Sequence, residues 1–553
     1  MDITIEGRTC ELTAGTTILE YIKALGLDSS SLSEKPLAAQ LSGEVFNLGY
    51  CPKRGCELRL LRFSDEEGRK VYERTLQFVL IMAVRKLFPG ANVVVQYSLG
   101  EGVYITFRKE PALSDEDVAA IKAEMHAIAE ADYPLIRKRM DIKDALEFFK
   151  ADGQLDKAAL LEWRNFSYFD VYLCPDYSDH RDYFYGEMAP GTGFVRIFDL
   201  HRIGDSLVML LPSRDDPDKA AKYEESPRML SVFEQSDRWG RFMSVANVHD
   251  LNRRVENGSI RELVRVNEAL HEKNYARVAD EIVRRGVKAI MLAGPSSSGK
   301  TTSANRIATQ LRADGLDPIM LSLDDYYIDR DKLAPGPDGQ LDLEHINALD
   351  TDKFASDLKI LLSGGEAGIP RFNFLTQRRE KELVPLRLGK DQPLIVEGIH
   401  GLNPMMLGDI DPESVFRIYV SALTTLNLDD HNRIHTTDLR LLRRLVRDYK
   451  TRGASMEHTL GMWASVRRGE TRWIFPYQEN ADVIINTALH YEAAVMKPYV
   501  YPLLREVPKE SPYYCAARSI VKFLNYFLEA DVENEIPPTS VIREFIGGNT
   551  FYM

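Results

Sequence analysis

The stretch GPSSSGKTT, Gly294–Thr302, follows the apolar run VKAIMLAG directly and leads into TTSANRIATQL. It fits G-x-x-x-x-G-K-[ST] with a strand-like segment before it and a helix-like segment after it, the context in which this pattern cradles a phosphate. No other feature limits the fold so tightly, because it demands a strand, a glycine-rich turn with backbone N–H groups facing an anion, and a helix N-terminus that completes the site. Within Gly294–Thr302, the N–H groups of Ser296, Ser297, Ser298, Gly299 and Lys300 are expected to wrap a β-phosphate. Lys300 then reaches the β- and γ-oxygens, and the hydroxyl of Thr301, ahead of Thr302, sits on Mg²⁺. ATP and Mg²⁺ are therefore the expected cofactors.

Such loops serve switches, motors or phosphoryl transfer, and residues elsewhere decide which. The base-reading tetrapeptide N-K-x-D of guanine-specific switches does not occur after the loop. Instead PIMLSLDDYYID is an apolar strand ending in Asp324, Asp325, Tyr326 and Tyr327, which places a carboxylate where an acceptor hydroxyl needs a proton acceptor. A second apolar strand, PLIVEGIHGL, ends in Glu397, suited to the water shell of Mg²⁺. An acid that ends a strand is often a simple cap or turn former; two in one phosphate-loop domain shift the reading towards catalysis. In DLRLLRRLVRDYKTRG, Arg440, Arg444 and Arg447 are four and three residues apart, so one helix face carries them.

At 553 residues the chain needs several cores. Residues 1–62 alternate apolar and polar residues around a Gly turn (MDITIEG, RTCELTAG), continue into a short helix and return to strands, the pattern of a ubiquitin-like β-grasp. Residues 63–215 are α+β, residues 216–286 are a helical connector, 287–510 hold the phosphate-loop domain with a mostly parallel sheet, and 511–553 form a helical extension. With 70 basic and 83 acidic residues the net charge of −13 disfavours general nucleic-acid or anionic-membrane binding. Five scattered cysteines give no disulfide framework, no signal peptide is visible at the N-terminus, and no apolar run approaches the ~20 residues that span a bilayer. These features read as a cytoplasmic, multidomain α/β and α+β protein.

The ordered set GPSSSGKTT, LDDYYID, EHINALD, IPRFNFLTQRR, LIVEGIHGL and LLRRLVRDYKTRG, over about 287–500, resembles the uridine kinase/phosphoribulokinase family. The resemblance implies that Asp324 is the general base for an acceptor's 5′-hydroxyl, with Lys300 opposite it. Tyr327 falls beside the acceptor, and Glu344 falls where the family has an Asp on the ribose hydroxyls. Phe372 and Gln377 fall where uridine kinases use Tyr and His around the base, and Arg444, Arg447 and Arg452 match lid and substrate arginines. The departures at Phe372 and Gln377, and Ala454 in place of an arginine after RG, make base recognition the weakest transfer. Uridine or cytidine is the first acceptor implied, and a sugar phosphate held by Arg378 or Arg379 is the alternative.

Residues 1–62 also resemble a TGS domain, and the next 150 resemble the editing domain of threonyl-tRNA synthetase. The family's H-x-x-x-H and C-x-x-x-H positions align with Arg74, Phe78, Phe184 and Met188. None of these side chains binds a metal or acts as base or nucleophile there. The front half then reads either as a scaffold that packs on the kinase or builds a homo-oligomer, or as an RNA- or ligand-sensing module, which the acidic balance does not favour.

Overall fold

The computed structural model describes residues 2–164, 167–333, 342, 344–373 and 376–551. At the N-terminus five strands run in the order Arg8–Glu11, Asp2–Ile5, Cys56–Leu61, Ala38–Leu41, Glu44–Phe46. The first strand and Cys56–Leu61 are parallel, as a β-grasp requires. Thr17 and Glu20 form a capping box that starts the helix Ile18–Ala24.

The next unit is built on the helix Glu66–Leu87, whose residues from Leu76 to Val84 are buried on every face. A helix apolar all round must lie inside. It packs with the helix Asp115–Ala131 against an antiparallel sheet ordered Asp199–Ile203, Ser206–Leu210, Gly102–Arg108, Asn92–Leu99. Arg74, Phe78, Phe184 and Met188 are packing residues here. Phe78 stacks on His180 at 5.4 Å and meets Phe184 edge-on, Met188 is fully buried, and Arg74 donates to the Glu187 carbonyl.

Helices Pro227–Phe242, Val248–Glu256 and Ile260–Arg285 lead into a five-stranded, all-parallel sheet. Its order is Ile319–Ser322, Leu394–Glu397, Ala289–Ala293, Val415–Ser421, Val483–Asn486. The strand that feeds the phosphate loop is therefore central and buried at every residue; Leu394–Glu397, which ends in one expected acid, lies beside it, and Ile319–Ser322, which leads to Asp324, lies one strand further out at the edge.

A short hairpin from this domain, Asn427–Asp429 with Asn432–Arg433, inserts into the second unit. Asn427 donates to the Val95 carbonyl and Asn432 to that of Tyr183. Arg433 pairs with Glu73 at 2.8 Å. His431 and Lys157 both contact the buried Asp182, the former at 2.7 Å. Opposed charges hold Asp182 well below the usual carboxylate range despite burial. Because removing one member of a buried ionic cluster strands the others, Lys157→Met is expected to cost about 3–5 kcal/mol, read as a lowered unfolding midpoint. Arg139→Ala, at the half-exposed pair with Asp170, is expected to cost less than about 1 kcal/mol. Equal losses would contradict this reading of the interface.

Candidate active site

The glycines of the loop are required by space and by backbone. A Cβ on Gly294 would lie 2.0 Å from the Val420 carbonyl oxygen, and one on Gly299, where φ is +84°, would lie 2.5 Å from Val541. Ser297 also takes a left-handed conformation, φ +58°, a cost of order 1–3 kcal/mol that surrounding contacts must offset. Those contacts come from behind. Arg440 donates to the Ser296 carbonyl and, in a two-pronged buried pair, to Glu470. Arg443 pairs with Glu492 and donates to the Thr487 carbonyl, and the Thr487 hydroxyl donates to the Ser298 carbonyl at 2.6 Å.

With its carbonyls turned back, the loop aims its amides forward. The N–H groups of Ser297, Gly299, Lys300 and Thr301 donate to no protein acceptor among the described residues, so they are a ready anion cradle. Two of the amides expected to wrap phosphate are used internally. Ser296 N–H donates to the Glu470 carboxylate at 3.1 Å, and Ser298 N–H to the Pro295 carbonyl at 3.3 Å. Turning back to satisfy the arginines orients the first, and the tight turn claims the second.

Lys300 leads the helix Lys300–Ala313, and its ammonium lies 3.2 Å from the Pro295 carbonyl. Its charge reaches Asp324, Glu397 and Glu344. These acids come from different segments and all lie within reach of its charge. Ser322 links two of them, accepting from the Asp324 amide while donating to Glu397. Burial raises the Asp324 carboxyl above its usual range, with Lys300 and Arg452 pulling it down and Asp325 pushing it up. Burial and the charge of Asp324 push Glu397 up to about 7. Glu344 is likewise pushed up to about 7 by burial and by Glu470.

The residues present fit a divalent cation beside bound phosphates. The Thr301 hydroxyl has no protein partner among the described residues, and burial, with neighbouring acids adding to it, raises the proton affinity of Glu397, a balance that a cation reverses. Tyr327 sits in the field of Asp324, Glu344 and Asp342 and 5.7 Å from the Phe372 ring. Arg444 donates to the Ser296 hydroxyl at 2.8 Å. Arg444, Arg447 and Arg452 all converge on one buried acid, Asp448, at 3.2–3.4 Å. Gln377 stands apart from this group: it is exposed, and its side-chain carbonyl accepts from Arg330.

Sequence reasoning missed Glu470, Asp448 and the C-terminal segment. Val541 packs on Gly299, and Glu544 accepts from the Thr302 hydroxyl at 2.7 Å. Its negative charge adds to the elevation of Glu397. Local pattern carried no signal for these residues, since each acts through a partner more than 140 positions away or, for Asp448, through its own helix neighbours.

Burial of Glu344 makes the folded chain hold a proton that the unfolded chain has lost. The stability this confers is complete below about pH 4.5 and is lost as pH rises to about 7. Glu344→Gln is therefore expected to flatten the fall of apparent stability over that interval by on the order of 3 kcal/mol. An unchanged slope would mean that Glu344 titrates as an exposed acid.

Residues 289–491 match the model of the Phosphoribulokinase / Uridine kinase family. The N-terminal region is similar to threonine–tRNA ligases. That of Symbiobacterium thermophilum is 33% identical over 195 residues, 35% of this chain and 29% of the ligase. That of Desulforamulus reducens is 31% identical over 198 residues, 36% of this chain and 30% of the ligase. The chain thus spans about three tenths of the length of these relatives. Among solved structures, D-glycerate 3-kinase from Cryptococcus neoformans var. grubii aligns at 15% identity and a TM-score of 0.27, covering 38% of this chain and 90% of that one. The family match and the phosphate loop together make residues 289–491 a P-loop kinase domain.

Proposed function

We propose that the protein transfers the γ-phosphoryl group of ATP to an uncharged alcohol, with the 5′-hydroxyl of a nucleoside, uridine or cytidine first, as acceptor. The observation that supports this reading is that the charge of Lys300, beside the free loop amides, acts on the buried carboxyl of Asp324. Asp324 accepts the proton of the attacking hydroxyl, and its raised affinity for a proton suits that task. Lys300 and the arginines gathered by Asp448 offset charge on the transferring group, which is most of what phosphoryl transfer asks of a protein. Mg²⁺, held by Thr301 and Glu397, would supply further charge neutralisation when bound.

The acceptor side supports a neutral substrate. Tyr327 lies among three carboxyl groups, a poor setting for a second phosphate. The two arginines that a sugar phosphate would need are engaged elsewhere. Arg379 bonds to the carbonyls of Tyr326 and Tyr327 and to Asp350, and Arg378 pairs with Asp331.

A panel of nucleosides, simple polyols and sugar phosphates, assayed for ADP release, tests the acceptor class. A neutral acceptor is expected to give the highest kcat/KM, and a sugar phosphate that outperforms every neutral compound would overturn this part. On the best acceptor, Asp324→Asn is expected to lower kcat ~10²–10⁴-fold while leaving ATP binding intact. Turnover near that of the unaltered protein would remove Asp324 from the chemistry.

A further inference from the structure

A cavity of about 340 Å³ lies behind the phosphate loop, away from the cleft of Lys300 and Asp324. Its walls are the helices Pro227–Phe242 and Ile260–Arg285, and the loops that leave the strands Val415–Ser421 and Val483–Asn486. The size is that of a small-ligand site. Its lining is mostly apolar, with Trp239 on one wall, yet it carries polar groups that the fold leaves unused. Gln235, Asn274 and Thr425 make no side-chain hydrogen bond with any described residue. Neither does Thr424, which is only 7% exposed. Two ring nitrogens of the lining, His271 Nδ1 and His490 Nε2, are buried with no hydrogen-bond partner among the described residues, and a buried polar atom in that state costs free energy unless something else supplies a partner.

The chemistry of the walls narrows the ligand. Arg277 and Glu281 are the only lining residues of formal charge among those described, and they are of opposite sign on one helix. The two histidines of the lining are neutral: burial pushes His271 down to about 3 and His490 down to about 4. Glu281 is taken up by Arg284 and Arg285, and the single guanidinium of Arg277 comes without the ring of backbone amides that the phosphate loop offers an anion. Carboxamides and hydroxyls beside an indole suit a flat, uncharged ring whose edge both donates and accepts hydrogen bonds.

One wall of the cavity is also the support of the phosphate loop. Asn486 bonds to Ser236 at 2.8 Å and to both the amide and the carbonyl of Leu423. The next residue, Thr487, holds the Ser298 carbonyl and, through its own carbonyl, Arg443. His490 is fixed by Asn267 at 3.0 Å. A ligand that braces residues 486–490 therefore acts on the same segment that orients the loop.

We propose that this cavity is a second small-molecule site, which binds a neutral nitrogen heterocycle of the nucleobase type and through Thr487 changes the affinity of the phosphate loop for nucleotide. The proposal does not depend on the acceptor assigned above. Free bases are the right probes, since they have no hydroxymethyl group to phosphorylate.

Adenine, uracil and hypoxanthine would be titrated calorimetrically into the full chain, alone and with ATP present. At least one is expected to bind with one-to-one stoichiometry and a Kd below about 1 mM, and to shift the Kd of ATP at least about twofold, a reciprocal effect by linkage. Asn274→Trp, which fills the cavity, and Thr424→Val, which keeps its shape but removes the unused hydroxyl, are each expected to weaken the base at least about fivefold. Phe372→Ala, beside the acceptor cleft, is expected to leave base binding unchanged. Should Asn274→Trp fail to fold, Thr424→Val decides. The site is refuted if no base binds, if binding survives in the folded cavity variants, or if Phe372→Ala abolishes it. Binding without any shift in ATP affinity would refute the coupling through Thr487.

Discussion

Buried arginines hold the phosphate loop from behind, and the geometry in front of it depends on them. Arg440 and Arg443 are essentially inaccessible to solvent, each tied to a buried glutamate and to a loop carbonyl. Such pairs give little net stability, since desolvation offsets most of their attraction, but losing one partner is costly. Their effect is directional. With the carbonyls of Ser296 and Ser298 drawn backwards, the neighbouring amides and the end of the Lys300 helix must face the cleft. The strained backbone of Ser297 is the local cost of that orientation.

The same logic places the acids. A parallel sheet sends the C-terminal ends of its strands to one edge, and the neighbouring strands that end in Ser322 and Glu397 are in register there. Two carboxyl groups, with Glu344 arriving from a loop, are thereby crowded around one lysine. Their elevated proton affinities follow from burial and mutual repulsion. A site with this excess of acid is poised for cations and for a neutral polar molecule.

Much of this was legible in the sequence where the signal was local. The strand–loop–helix context of Gly294–Thr302 and the acids at 324 and 397 that close apolar runs follow from local pattern and turn chemistry, and the expected mostly parallel sheet proves parallel throughout. The β-grasp was readable for the same reason. What was hidden depends on distant pairing. Glu470 lies within an unremarkable helix and meets the loop 174 positions earlier; Val541 and Glu544 come from the far C-terminus. Gln377, placed by motif beside an acceptor base, turns outward because its left-handed backbone, φ +57°, and Arg330 direct it there. The hairpin Asn427–Arg433, which joins the kinase domain to the ligase-like unit, reads in sequence as an ordinary polar turn. Only its burial with Asp182 and Glu73 shows that the two units share an interface.

The central claim is that Lys300 and Asp324 act on each other across one cleft. The carboxyl pKa of Asp324, measured by carbon NMR with Asp324→Asn supplying the assignment, tests it in the unaltered chain and in Lys300→Met. Since the lysine is the foremost influence holding that carboxyl down against burial, its removal should raise the pKa further, by about a unit or more. An Asp324 that titrates identically in both proteins would place the two groups in separate environments and contradict the account.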